Sequence, residues 1–278
     1  MGTSAGLIAG KVAIVTGAGR GIGKAVAELM AEHGASVIVN DLEQSVAQET
    51  VDSIRAAGGK AEACAGSVTD PALPPALIGA AIDAYGTFDI IVNNAGYTHD
   101  AMIHKMSDEQ WQAMLDCHLT APFRILREAS KHWREWSKAE AEAGTPRARK
   151  VVNVSSTSGV AGNAGQVNYA AGKMGIVGVT KTLAREWGRL GVCVNAVAYG
   201  FIETRLTAAK DRSMKATVDG NEVEIGIPGA MREGAIARIP LGRPGSPREA
   251  AGPVLFLASP LADFVTGHVV LVTGGSYM

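Results

Sequence analysis

Apolar residues along this chain fall into short unbroken runs, separated by longer stretches in which they recur every three or four positions. Val12–Thr16, Ser36–Asn40, Phe88–Val92, Val151–Val154, Val192–Val197 and Val269–Val272 are apolar nearly throughout, and Lys60–Ala65 is a weaker run of the same kind. Continuous rather than alternating runs predict strands buried on both faces, as in a parallel sheet covered by helices. Between them, Ile22–His33 carries Val26, Leu29 and Met30 along one face and stops at Gly34, which predicts an amphipathic helix. A second helix is predicted from Val167 to Arg185. Strand–helix repetition without a linker predicts one α/β domain over residues 1–278, a doubly wound parallel sheet with helices on both faces.

Two segments break this rhythm. Ser130–Lys150 carries Trp133, Trp136 and then many charges, and reads as a lengthened helix end followed by a solvated loop. Thr204–Arg238 reads as a substrate lid, or alternatively as a peripheral helix pair. Its Leu206, Ile225, Ile227, Met231 and Ile236 would line an apolar pocket.

Composition narrows the function. With 26 basic against 27 acidic side chains the chain has no charge surplus for nucleic acid or an anionic membrane, so a small molecule is the expected ligand. Cys64, Cys117 and Cys193 are isolated and carry no metal or disulfide spacing, which points to a reducing cytoplasm and no metal site. No apolar run is long enough for a transmembrane helix.

The first strand runs into Thr16-Gly17-Ala18-Gly19-Arg20-Gly21-Ile22-Gly23 and at once into a helix. Glycines here permit a tight turn that brings backbone N–H groups to a pyrophosphate at the helix N-terminus. Asp41, at the end of the second strand, is placed to accept hydrogen bonds from both hydroxyls of an adenosine ribose. It would repel a 2′-phosphate by roughly 4 kcal/mol at about 4 Å, which favours NAD. Arg20 is the counter-signal for NADP, or else a surface charge or a partner of Asp41.

Tyr169 and Lys173 are four apart on the predicted helix and so share a face, and Ser156 follows the fourth β-branched run. Ketone reduction needs a proton donor at the oxygen that gains charge, and alcohol oxidation the reverse. The ammonium of Lys173, helped by oxidised nicotinamide, is expected to lower the phenol pKa of Tyr169, and Ser156 to hold the substrate oxygen.

With these residues the chain resembles the short-chain dehydrogenase/reductase family over nearly its whole length. The resemblance rests on Thr16–Gly23, Asn93-Asn94-Ala95-Gly96, Ser156, Tyr169, Lys173, Pro240–Gly242 and Val265-Thr266-Gly267 with Gly274-Gly275. It is similar in particular to 3-oxoacyl-(acyl-carrier-protein) reductases and related ketoreductases. The resemblance implies a Rossmann-type sheet of about seven strands, a homotetramer, and a reversible ketone/alcohol oxidoreductase with Tyr169 as acid or base. It places Asn93, Ala95 and Gly96 beside the cofactor and Lys173 on the nicotinamide ribose. It extends the cofactor contacts to Ile22, Leu42, Ser67 and Val68, and to Gly200, Ile202 and Thr204.

Four positions depart from the family pattern. His118 stands where Asn usually helps hold a relay water, and reads either as a relay residue or as packing. Ser67 replaces an adenine-contacting Asp, and Thr273 an Asp of the last strand. Tyr199 replaces Pro, stands near the expected nicotinamide site, and reads either as shaping the substrate pocket or as packing. Tyr97 and His99 on the loop after Asn93–Gly96 are further candidates for substrate contact, with Leu206 from the lid.

Overall fold

The computed structural model describes residues 6–209, 215–218, 221–224 and 226–277, the two four-residue stretches by their backbone alone. Ile225, assigned above to the lid lining, lies outside the described residues.

Seven parallel strands form one sheet: β1 (Val12–Val15), β2 (Ser36–Val39), β3 (Lys60–Ala63), β4 (Ile90–Asn93), β5 (Arg149–Ser156), β6 (Val192–Tyr199) and β9 (Val269–Val272). Their spatial order is β3-β2-β1-β4-β5-β6-β9. The fold is the doubly wound parallel sheet that the apolar runs predicted, with the seven-stranded Rossmann-type order that the family resemblance implied. Helices α1 (Gly21–Glu32), α2 (Gln44–Ala56) and α9 (Pro247–Ala258) bury Val26, Val51 and Val254 against one face. Helices α3 (Leu73–Tyr85), α5 (Ala121–Glu142) and α7 (Val167–Trp187) bury Leu77, Ile125 and Trp187 against the other. The chain leaves β1 toward one face and β4 toward the other, so a crevice opens at the C-terminal ends of these two neighbours, the place where such sheets bind ligands.

Both long central strands outrun their apolar cores. β5 starts at Arg149 rather than Val151, and β6 ends at Tyr199 rather than Val197. The segment expected as a solvated loop therefore ends in strand. Arg149 is buried and paired with Glu140 of α5 at 2.5 Å, and Lys150 is buried and paired with Asp263 at 2.7 Å. Trp133 is fully buried too, stacked on Phe88 with ring centroids 5.2 Å apart and its Nε1–H on the Phe88 carbonyl. Nearby Asp89, also fully buried, accepts from the Val12 amide at 2.9 Å and from two nitrogens of Arg147.

The segment expected as a lid contains a two-stranded antiparallel ribbon, β7 (Lys215–Val218) with β8 (Asn221–Glu224), and helix α8 (Gly229–Ala237). Among the described residues α8 buries no side chain, and Met231 is exposed. The helix pair considered as an alternative is thus replaced by a ribbon and one helix.

Helix α4 (Asp108–Leu115) opens with a capping box between Ser107 and Gln110. It runs without a break through a wide, π-type turn at Asp116–Thr120 into α5. Short helix α6 (Thr157–Ala161) follows β5 directly. Among the described residues no helix is long and apolar enough to cross a membrane, and no group of His, Cys, Asp and Glu is placed to hold a metal.

Candidate active site

The turn after β1 is packed backbone to backbone. A Cβ on Gly23 would stand 2.0 Å from the Gly17 carbonyl oxygen, and one on Gly17, whose φ is +60°, would stand 2.7 Å from the Ala95 Cα. Only glycine permits both approaches. The strand ends on either side are clamped together. Thr16 Oγ1 accepts from the amides of Asn94 and Ala95, and Asn94 Nδ2 donates to the carbonyls of Thr16 and Gly17. The first turn of α1 has no side-chain cap, so its N–H groups keep the capacity to bind an anion. Thr204 reaches the same turn, its Cγ2 3.7 Å from where a Gly21 Cβ would lie.

Asp41 is held from two sides. Gly19 N–H donates to Oδ2 at 2.9 Å and Leu42 N–H to Oδ1 at 2.8 Å, so the carboxylate is fixed beside the glycine turn with acceptor capacity left over. Arg20 is exposed, and among the described residues it forms no ion pair with Asp41. Ser67 bonds Thr69 at 2.8 Å and Val68 is half-buried, both on the approach to α3. These residues fit a dinucleotide: a bare helix N-terminus for the pyrophosphate, and a fixed carboxylate one strand over for the ribose.

The reacting groups converge from β5, α7 and the π-type turn. Lys173 is buried and donates from Nζ to the Val154 carbonyl at 2.7 Å, and Nζ lies 5.6 Å from the Tyr169 ring centre. Burial lowers its pKa to about 8. Burial also pushes the Tyr169 phenol up to about 12, partly offset by its hydrogen bond with Ser156. Desolvation is the largest influence on the phenol when no cofactor is bound, so it lies above its ordinary value in the unliganded protein; the expected lowering requires Lys173 together with oxidised nicotinamide. Tyr169 holds its proton at neutral pH.

His118 belongs to this cluster. Its ring stands edge-on to Tyr169, centroids 4.9 Å apart at 88°. Nε2 lies 2.7 Å from the Tyr97 carbonyl oxygen. A carbonyl only accepts, so Nε2 carries the proton and Nδ1 presents a lone pair. Nδ1 is buried with no partner, as is Asn93 Oδ1, although Asn93 Nδ2 is bonded to Asn153. Burial and the nearby Lys173 charge hold the His118 pKa well below the usual value, so the imidazole is neutral. Gly96 makes room for it, since a Cβ there would stand 2.4 Å from His118 Cε1.

Residues 11–215 match the family of short chain dehydrogenases. This chain belongs to that family. The dehydrogenase is 42% identical over 270 residues to 3-oxoacyl-(acyl-carrier-protein) reductase FabG of Vibrio cholerae, covering 97% of this chain and 98% of the relative. It is 38% identical to the enzymes of the same name from Thermotoga maritima, over 96% and 97% of the two chains, and Escherichia coli, over 97% and 98%. As a member of this family it is an oxidoreductase that uses a nicotinamide cofactor to interconvert a ketone and an alcohol.

Not every predicted residue of the dehydrogenase reaches the cleft. Tyr199 is buried with Val197 in the core beneath α9, its hydroxyl on the Ala250 carbonyl at 2.8 Å. It is the last residue of a strand rather than the first of a loop, and its side chain packs away from the predicted pocket. Gly200 and Ile202 follow it, with Gly200 against Thr273 and Ile202 buried beside Gly245. Thr273 Oγ1 accepts from the Gly275 amide, which explains a small polar residue there. Tyr97 is buried against Met114 and Cys117, His99 offers its carbonyl to Asn168, and Leu206 stands exposed. Sequence reasoning missed Thr16, Asn94 and Asn168 as organisers of the site. Asn168, fully buried, ties the loop after β4 to α4 through His99 and Gln110 and accepts the Tyr169 amide. Its position next to the tyrosine was the available signal.

Proposed function

We propose that this dehydrogenase is an NADH-linked reductase of apolar 3-oxoacyl-type ketones, with Tyr169 as proton donor. The cofactor preference rests on one observation: the Asp41 carboxylate is fixed beside the glycine turn by the amides of Gly19 and Leu42. A carboxylate so held accepts ribose hydroxyls and repels a 2′-phosphate. The substrate class is carried over from the relatives named above, and the exposed Leu206 and Met231 suit an acyl chain.

Bound, the nicotinamide supplies or removes a hydride; the rest falls to the chain. The Gly17–Gly23 turn and the bare amides of α1 would hold the pyrophosphate, Asp41 the adenosine ribose, and Lys173 the nicotinamide ribose. Ser156 and Tyr169 are bonded to one another and would both bond the ketone oxygen. As that oxygen gains negative charge, the Tyr169 hydroxyl gives it a proton, and Ser156 keeps it oriented. The buried ammonium of Lys173 then stabilises the phenolate left behind. A phenol that keeps its proton at neutral pH favours reduction over oxidation. His118, neutral and with Nδ1 unpaired, can accept a bond from a water that returns a proton to Tyr169.

Initial rates with NADH and NADPH side by side test the cofactor assignment. Asp41→Ala should raise KM for NADH at least ten-fold and leave that for NADPH unchanged or lower. Turnover with NADPH alone in the unaltered protein would instead assign the selecting role to Arg20.

A further inference from the structure

The loop after β4 is stapled to the start of α7 at three points. Ala101 N–H donates to the Gly165 carbonyl at 2.9 Å, Asn168 Nδ2 to the His99 carbonyl at 3.0 Å, and Gln166 Nε2 to Asp100 Oδ2 at 2.8 Å. Gln166 is the hub. Its Oε1 accepts from Ser158 Oγ and Asn163 Nδ2, each at 2.9 Å, and the Ser158 amide donates to Ser156 Oγ at 3.1 Å. Asp100 is thereby joined through two side chains to the serine of the site. Gln166 precedes Tyr169 by three residues, so the two share one side of the helix start. The carboxylate held over Gln166 is solvent-exposed and close enough to Tyr169 to oppose its ionisation.

Nothing described neutralises this charge. Among the described residues no Lys or Arg pairs with Asp100. His99 is the titratable group beside it on its own loop. From α7 it is faced by Gln166, which donates to it, and by Tyr169, which holds its proton. Partial burial raises the Asp100 carboxyl above its ordinary value, and the hydrogen bonds from Gln166 and Thr98 and the nearby His99 hold that rise in check.

We propose that Asp100 is a specificity-determining residue: a fixed negative charge at the entrance of the Tyr169 cleft that turns away ketones carrying a free carboxylate and admits neutral esters and thioesters. The proposal rests on the reading of that cleft as the ketone site. It adds to the 3-oxoacyl reading one residue, and a physical reason, for rejecting the free 3-oxo acid.

The test compares kcat/KM for a neutral 3-oxo ester with that for the matching 3-oxo acid, in the unaltered protein and in Asp100→Asn, which retains an acceptor for Gln166. The unaltered protein should favour the ester, and Asp100→Asn should narrow that ratio by about three- to ten-fold, chiefly through KM for the acid. Raising salt from about 0.05 M to about 0.5 M should narrow the ratio in the unaltered protein and leave the variant's nearly constant, because screening removes what the substitution already removed. A ratio equal in both proteins, with the same salt response, overturns the proposal. Should the variant fail to fold, a ratio in the unaltered protein indifferent to salt overturns it equally. Tyr169→Phe separates the two levels: turnover surviving that change removes the underlying site, whereas an inactive Tyr169→Phe beside an unchanged ratio in Asp100→Asn removes the role of Asp100 alone.

Discussion

The two ends of the sheet bury polar groups on opposite terms. At the end where β1, β4 and β5 begin, Asp89 meets Arg147 and Lys11, Arg149 meets Glu140, and Lys150 meets Asp263. Charge here is met by charge, Asp89 also takes up a strand amide, and the Nε of Arg149 is the one described atom of these pairs left buried without a partner. At the end where the strands finish, Lys173 is buried with only a carbonyl for a partner, and Asn93 Oδ1 and His118 Nδ1 have none. Buried polar atoms without partners are costly in the unliganded protein, on the order of 1–3 kcal/mol each, and that capacity stays open for a ligand. One end of the sheet is built for stability and the other for binding.

The largest expected effects break the comparison from the binding end. Tyr169→Phe should cut ketone reduction by at least about a thousand-fold while moving the thermal midpoint little, since the ring and its contact with His118 remain. A comparable loss of both rate and stability would mean that the phenol is structural. Asp89→Ala attacks the other end. It strands the Val12 amide and the Arg147 guanidinium, and urea titration should show a loss of about 3 kcal/mol, the lower part of the range for breaking a buried pair because Arg147 is partly exposed. Turnover per folded molecule should hold, and a drop in kcat without a drop in stability would contradict the division.

A smaller effect sharpens it through pH. The folded-state pKa of Lys173, about 8, lies below its ordinary value of 10.5, so between those values the unfolded chain binds more protons and stability rises with pH. Tyr169 acts oppositely: raised from 10 to about 12, it holds its proton longer when folded, and its contribution is lost as pH climbs through that window. Urea midpoints followed from pH 8 should therefore rise by about 2 kcal/mol toward pH 10 from Lys173 alone, and fall beyond it. In Lys173→Met the rise should shrink to what the lowered pKa of Lys11 contributes, and the fall should remain.

Most of this division was legible in the chain, and the failures share one cause. The apolar runs located six of the strands because a parallel strand covered on both faces must be apolar on both sides, whereas the edge strand β3, with Lys60 and Glu62 exposed, gave only a weak signal. The glycine turn, Asp41, Ser156, Tyr169 and Lys173 were legible because each needs its residue type at a fixed spacing. Arg149, Lys150 and Tyr199 were misread because hydrophobicity marks only the middle of a strand, and backbone pairing carries β5 past it at both ends and β6 past it at its C-terminal end. Arg149 pairs with Val192, and Ser156 with Tyr199. Thus charged residues taken for a loop lie in the core, and a tyrosine taken for pocket lining follows Val197 onto the α9 face. The raised phenol of Tyr169 in the unliganded protein was not legible, because spacing shows which groups are neighbours and says nothing of how much water they have lost.

Helix α4, the π-type turn and α5 form one rod from Asp108 to Glu142, and it touches both ends of the sheet: His118 near its start serves the cleft, while Trp133 and Glu140 anchor the far rim. A regular helix of that length would lock the angular settings of its two ends together. The wide turn at Asp116–Thr120 is an insertion in register, and it lets one end be set without turning the other. In evolutionary terms it acts as a joint between two selective pressures, so the side chain at position 118 can be exchanged to tune chemistry while the packing around Trp133 stays as it is.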